Sequence, residues 1–112
     1  MVELREYLDR DGRSPFGEWR NGLNAEARRK VTTSLYRLAL GNVSNLKSVG
    51  AGVYECRIHF GPGYRVYLGK DGEQLIIVLG GGTKQRQQND IRVAVDRWED
   101  YKQRKKAGEK GE

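Results

Sequence analysis

The feature that most restricts the fold lies between Tyr54 and Leu79, where two alternating segments flank Gly61-Pro62-Gly63 and an unbroken apolar run follows. Glycine adopts backbone angles closed to other residues and proline withholds a ladder donor, so the chain must turn there. Tyr54 to Phe60 and Tyr64 to Leu68 therefore read as a β-hairpin. A second turn, Gly69-Lys70-Asp71-Gly72, leads to Gln74 to Leu79, whose continuous apolar character marks a strand in the middle of a sheet. Short turns make these three strands an antiparallel meander.

A three-residue loop at 61–63 sets Phe60 opposite Tyr64, His59 opposite Arg65, Ile58 opposite Val66 and Arg57 opposite Tyr67. Because side chains alternate, Tyr54, Cys56, Ile58, Phe60, Tyr64, Val66 and Leu68 point one way, toward a core. Glu55, Arg57, His59, Arg65 and Tyr67 point the other way. After Leu79 the run Gly80-Gly81-Gly82 releases the chain and brings Lys84 near the strand ends. It lacks the spacing and the Lys-Ser/Thr ending of a phosphate-binding P-loop, which argues against a nucleoside triphosphatase.

The flanking segments supply helices. Val2 to Leu8 alternates as a strand. Ser14-Pro15 then starts a short helix to about Leu23, with serine as N-cap and proline at the first helical position. From the N-cap Asn24, the apolar residues Ala27, Val31, Leu35 and Leu38 recur at helical spacing until Gly41-Asn42 stops the helix. Its other face carries Arg28, Arg29 and Lys30, read as a solvated surface. A last helix is expected from Gln87 or Asn89 to Lys106, burying Ile91, Ala94, Val95, Trp98 and Tyr101. The fold class is thus α+β: an antiparallel sheet, made of the N-terminal strand plus the three-stranded meander, packed with two N-terminal helices and one C-terminal helix. At 112 residues the chain suits one domain, residues 1–101, followed by a charged tail, 102–112, expected to be frayed or disordered.

Composition limits the chemistry. One cysteine, Cys56, and one histidine, His59, exclude an internal disulfide and the usual Cys/His zinc site, so no metal or cofactor is expected. No stretch reaches the roughly 20 apolar residues that span a bilayer, and the first residues lack the pattern of a signal peptide, so the cytoplasm is the expected compartment and no membrane partner is expected. A formal charge of +6 favours a polyanion, nucleic acid or the ribosome, because each neutralised phosphate releases counterions. Arg57, Arg65, His59, Tyr67 and Glu55 on adjacent strands suit a phosphodiester. Arginine forks bind phosphate oxygens, rings stack on unpaired bases, and such groups stabilise charge and move protons without a metal.

Ser14-Pro15-Phe16 with Trp19, Arg37-Leu38, Gly41-Asn42, Lys47, Gly50 to Val53, Glu55 to His59, Gly61-Pro62-Gly63-Tyr64-Arg65-Val66-Tyr67, Gly81-Gly82-Thr83-Lys84, Gln87 and Asp90-Ile91 together carry a family resemblance. Nearly the whole chain, to about Tyr101, resembles the phage-derived addiction-module killer proteins, a branch of the RelE/ParE/HigB toxin superfamily. The resemblance implies a RelE-like fold and a partner antitoxin, usually encoded adjacently with a helix-turn-helix domain, whose complex with the toxin represses operator DNA. It implies ribosome-dependent cleavage of messenger RNA, by attack of the ribose 2′-OH on the adjacent phosphate. Arg65 matches the arginine placed on that phosphate, Arg57 and Lys84 match further phosphate-binding cations, and His59 is a candidate proton carrier. Lys47, Tyr67 and Arg86 complete the expected RNA-binding set. The chain departs from RelE at Glu55, where RelE has lysine, and at Ile91, where RelE has a late tyrosine. Glu55 and His59 both stand as candidate bases. The superfamily also offers a second activity, inhibition of DNA gyrase in the manner of ParE, and a third, RNA binding without catalysis.

Overall fold

A computed structural model describes residues 1–110, with side chains through residue 108. The order is β1 (Glu3–Glu6), α1 (Pro15–Asn21), α2 (Ala25–Ala39), β2 (Leu46–Gly50), β3 (Val53–Ile58), β4 (Tyr64–Asp71), β5 (Leu75–Thr83), a 3-10 turn (Lys84–Arg86) and α3 (Gln87–Lys110). The fold is α+β, with five strands in the spatial order β1-β5-β4-β3-β2.

Local chemistry sets the helix starts as the sequence predicts. Ser14 Oγ accepts from the Gly17 N–H at 2.9 Å ahead of Pro15, and Asn24 Oδ1 accepts from the Ala27 N–H at 2.9 Å. Gly41, at φ 99°, closes α2: its N–H donates to Leu38 O and that of Asn42 to Arg37 O. α3 runs four residues past the expected end at Lys106. Arg104 and Lys105, in the segment read as tail, pair with Asp100 and Asp71 respectively. The tail's final residues, 111–112, lie outside the described residues.

The sheet departs from the wholly antiparallel expectation. β2 to β5 form an antiparallel meander, but β1 lies parallel to β5, with Glu3 beside Leu75 and Glu6 beside Val78. Alternation identifies a strand and says nothing of its direction. The α1–α2 connection carries the chain from one edge of the sheet, β1, to the other, β2. β2 is a fourth meander strand beyond the expected three. It sits at an edge with mostly exposed side chains, and a register shift between Ser48 and Gly50 breaks its period of two.

The hairpin register also differs by two residues. Ile58 pairs with Tyr64, Arg57 with Arg65 and Glu55 with Tyr67, leaving 59–63 as a five-residue loop. Gly61 and Gly63 both take positive φ there. A slip of two preserves the facing of every strand residue but moves His59 and Phe60 out of the ladder. The three glycines after Leu79 are likewise strand, with Gly80, Gly81 and Gly82 opposite Tyr67, Val66 and Arg65.

Helices cover both faces of the sheet. Phe16, Ala27, Val31 and Leu38 of α1 and α2 pack with Cys56, Ile58, Val66, Leu68 and Val78. On the opposite face Ala94 and Trp98 of α3 pack with Tyr7, Val53, Tyr67, Ile77 and Leu79. The chemically rich face is therefore a second core where α3 crosses it. Close approach depends on missing Cβ atoms: one added at Gly69 would overlap the Trp98 ring, and one at Gly81 the Trp19 ring. Gly69→Ala is expected to lower stability by about 1–3 kcal/mol through overpacking. A urea titration checks this, and an unchanged midpoint would remove Trp98–Gly69 packing from the account of how α3 docks.

Candidate functional site

β3 and β4 place a carboxylate below two arginines. Glu55 is fully buried. Its Oε1 accepts from Arg57 Nε at 3.0 Å and lies 3.3 Å from Arg65 Nε, while Oε2 accepts from Gln87 Nε2 at 2.6 Å. Arg57 and Arg65 are directly opposite on neighbouring strands, an arrangement that is repulsive for like charges alone. The carboxylate offsets that repulsion. Burial by itself would raise the Glu55 pKa, but hydrogen bonds from Arg57 and Gln87 and the charges of Arg65 and Arg57 outweigh it, so its pKa lies below the ordinary value. Both oxygens are occupied, which makes Glu55 an anchor for the arginines.

The two arginines differ in access. The Arg57 side chain is 39% exposed and that of Arg65 only 8%. The Arg65–Glu55 contact lacks hydrogen-bond geometry, which leaves Arg65 Nε buried without a hydrogen-bond partner. Arg65 thus keeps donor capacity that the protein itself does not consume. Its Nη1 flanks Gly63, as does Lys84 Cβ, each 3.8 Å from where a Gly63 Cβ would stand. The Lys84 N–H donates to Gly63 O at 2.9 Å, so the hairpin loop and the 3-10 turn are tied together beside Arg65.

The remaining sequence-predicted residues divide into a rim and an interior. Lys84, Arg86 and His59 are exposed, the first two on the 3-10 turn and the third in the hairpin loop. Lys47 is exposed on β2, directly opposite Glu55. Tyr67 is only 1% exposed, packed beneath α3 in the second core. Its phenol pKa is pushed up by burial first and by the negative charges of Glu55 and Asp90 next, and its hydroxyl has no hydrogen-bond partner. Arg57, Arg65 and Lys84 are brought together, while Tyr67 stands apart from any open surface.

Three contributors have no assigned role in the sequence reading. Gln87 begins α3 and ties it to Glu55, and it enters the sequence reading only through the family resemblance. Asp90 and Arg97 line a cavity with Tyr67; Asp90 belongs to the same resemblance, while the spacing of Arg97 is that of any polar α3 residue. Among the described residues no grouping of His, Cys, Asp and Glu could hold a metal ion, and no helix is long and apolar enough to cross a membrane.

A basic cluster anchored on a buried carboxylate, on a mixed sheet between helical layers, defines the protein structurally. No family model matches the chain. Over 80 residues it is 42% identical to an uncharacterized protein of Haemophilus influenzae, a match covering 70% of this chain and 81% of that protein. The chain belongs to the same family as that Haemophilus protein.

Glu55→Gln removes the counter-charge of both arginines and is expected to cost about 3 kcal/mol at neutral pH, as for breaking a buried ion pair. Because the folded pKa of Glu55 is depressed, its contribution is present above the ordinary glutamate value of about 4.3 and fades as pH falls through the folded value. Urea unfolding across pH should therefore show the gap between wild type and Glu55→Gln closing on acidification. A gap independent of pH would contradict the anchoring role.

Proposed function

We propose that this chain is the toxin of a type II toxin–antitoxin pair, with a RelE-like fold, acting in the cytoplasm as a metal-independent endoribonuclease on messenger RNA at the ribosome. The observation that carries the reading is the Arg57–Arg65 pair held over Glu55, with unspent donors on Arg65 and Lys84 fixed alongside. Such an arrangement suits a phosphodiester whose phosphorus gains negative charge, because prepositioned cations need not reorganise as that charge develops. The resemblance of the hairpin and of the segment after β5 to the addiction-module killer proteins supports the same reading.

In the proposed reaction the ribose 2′-oxygen bonds to the adjacent phosphorus and the bond to the 5′-oxygen of the next nucleotide breaks. The products are a 2′,3′-cyclic phosphate and a free 5′-hydroxyl. Arg65 stabilises the pentavalent phosphorane, and Arg57 and Lys84 neutralise neighbouring phosphate charge. His59, exposed in the loop, is assigned the proton from the 2′-OH, since imidazole both accepts and donates; Lys84 supplies the proton to the leaving oxygen. Glu55 keeps the arginines in register. Lys47 and Arg86 extend the cationic rim along the RNA backbone. A cognate antitoxin would cover this rim and link the complex to operator DNA.

Primer extension on messenger RNA in a purified translation system tests the proposal. Wild type should produce new ends at A-site codons, and Arg65→Ala, verified as folded, should lower the cleavage rate by about 10²–10³. Folded wild type that leaves messenger RNA intact would overturn RNA cleavage and make gyrase supercoiling the next assay.

A further inference from the structure

We propose that the free edge of β1 docks the β1 strand of a second copy of this chain, joining two five-stranded sheets across a two-fold axis at Leu4.

β1 ends the sheet: β5 lies on one side of it, and among the described residues no strand lies on the other. The Glu3 N–H donates to Gln74 O at 2.8 Å and the Tyr7 N–H to Val78 O at 2.9 Å. Because ladder bonds alternate along a strand, the N–H and C=O groups of Leu4 and Glu6 point away from β5. Such a row is a template for another strand, and proteins blunt it with bulges, proline or repelling charge. The opposite edge, β2, has a register shift between Ser48 and Gly50, whereas β1 pairs with β5 without one and contains no proline.

The charge pattern selects the occupant. β1 reads Glu3-Leu4-Arg5-Glu6. A two-fold axis across the edge pairs β1 with itself antiparallel, and matching of the hydrogen-bonding groups puts a residue on that axis. An axis at Glu3, Arg5 or Glu6 sets like charges directly opposite, which is destabilising. An axis at Leu4 sets Leu4 opposite Leu4, and Arg5 of each copy opposite Glu3 of the other. The outward groups of Leu4 then form a hydrogen-bonded pair, and Arg5 and Glu3 fall in the non-hydrogen-bonded pairs, where side chains stand closer. Within one copy Arg5 Nε already lies 2.5 Å from Glu3 Oε2, with both side chains exposed. Two copies turn that pair into a ring of four alternating charges.

The two faces of the edge differ, and each matches its own image. Tyr7 packs with the α3 core and Leu4 with the α1 and α2 core, so Glu3 and Arg5 share the α3 side and Leu4 the other. On the Leu4 side an open groove of about 420 Å³ runs beside the strand, lined by Met1, Val2, Leu4, Phe16, Leu35 and Tyr36, among others. Met1 is 84% and Tyr36 60% exposed there. Leu4 of a second copy arrives on this apolar side, while its charges meet charges on the other. β5 stands between β1 and the strands that carry Arg57 and Arg65, so the inference is independent of the RNA reading.

Sedimentation velocity at physiological ionic strength tests it, since a Debye length of about 8 Å limits repulsion between remote charges of two chains at +6 each. Wild type should pass from monomer to dimer as concentration rises, and the Leu4 and Glu6 amides should become protected from hydrogen exchange over the same range. Glu3→Arg and Arg5→Glu, each verified as folded by circular dichroism, should each weaken the dimer by about tenfold or more, because like charges then face each other twice. Mixing the two variants should restore dimers, since each supplies the charge the other lacks. Positions 3 and 5 stay like-charged within each variant chain, so recovery in the mixture reports contact between chains alone. A wild type that stays monomeric up to its solubility limit would overturn the proposal, even if a different protein protects the same amides. Variants that dimerise as wild type does, or a mixture that gains nothing over its components, would overturn it as well.

Discussion

Burying Glu55 is the constraint on which the arrangement of charges depends. A carboxylate withdrawn from water costs several kcal/mol unless its lone pairs are filled and opposite charge is close. Here two arginines and a glutamine meet that condition from three elements, β3, β4 and the first residue of α3. The same contacts let Arg57 and Arg65 occupy facing positions that would otherwise repel. They also fix where α3 begins, and with it the 3-10 turn that carries Lys84 and Arg86.

Glycine sets how closely the helical layers can approach. Trp98 lies over Gly69 on one face of the sheet and Trp19 over Gly81 on the other, each ring filling space that a Cβ would take. Gly80 and Gly82 similarly make room for Arg97 and Asp90. At the end of β5 the sheet is therefore thin, and polar α3 side chains come against its backbone. That thinness produces both the cavity at Tyr67 and the adjoining cationic edge. Packing and site chemistry draw on the same glycine run.

The cluster also separates enclosed from exposed charge. Arg65 is almost enclosed and held against Glu55, while Lys47, Lys84 and Arg86 are exposed on an edge strand or a turn. For the proposed phosphodiester chemistry this is an advantage. The enclosed guanidinium sits in a low-dielectric setting where charge stabilisation is strong, and the rim can follow a flexible backbone. Among the described residues the cluster assembles without any grouping suited to a metal ion.

Much of the local structure was legible in the chain. Ser14-Pro15, Asn24 and Gly41 mark helix ends because capping depends on a few neighbouring atoms, and the stripe from Ile91 to Tyr101 identifies the face α3 buries. The split of Glu55, Arg57, Arg65 and Tyr67 from Cys56, Ile58, Tyr64 and Val66 was equally plain, since it needs only the period of two. What faces what was not. The two-residue difference in hairpin register, the parallel placement of β1, the bulged edge strand β2 and the strand identity of Gly80 to Gly82 all depend on contacts between segments distant in sequence. Sequence alone determined which side chains share a surface, because alternation and helical spacing are local properties. Only the tertiary structure decided that Arg57 meets Arg65, that Tyr67 is enclosed and that Gln87 reaches Glu55, because burial and charge balance arise when separate elements close on one another.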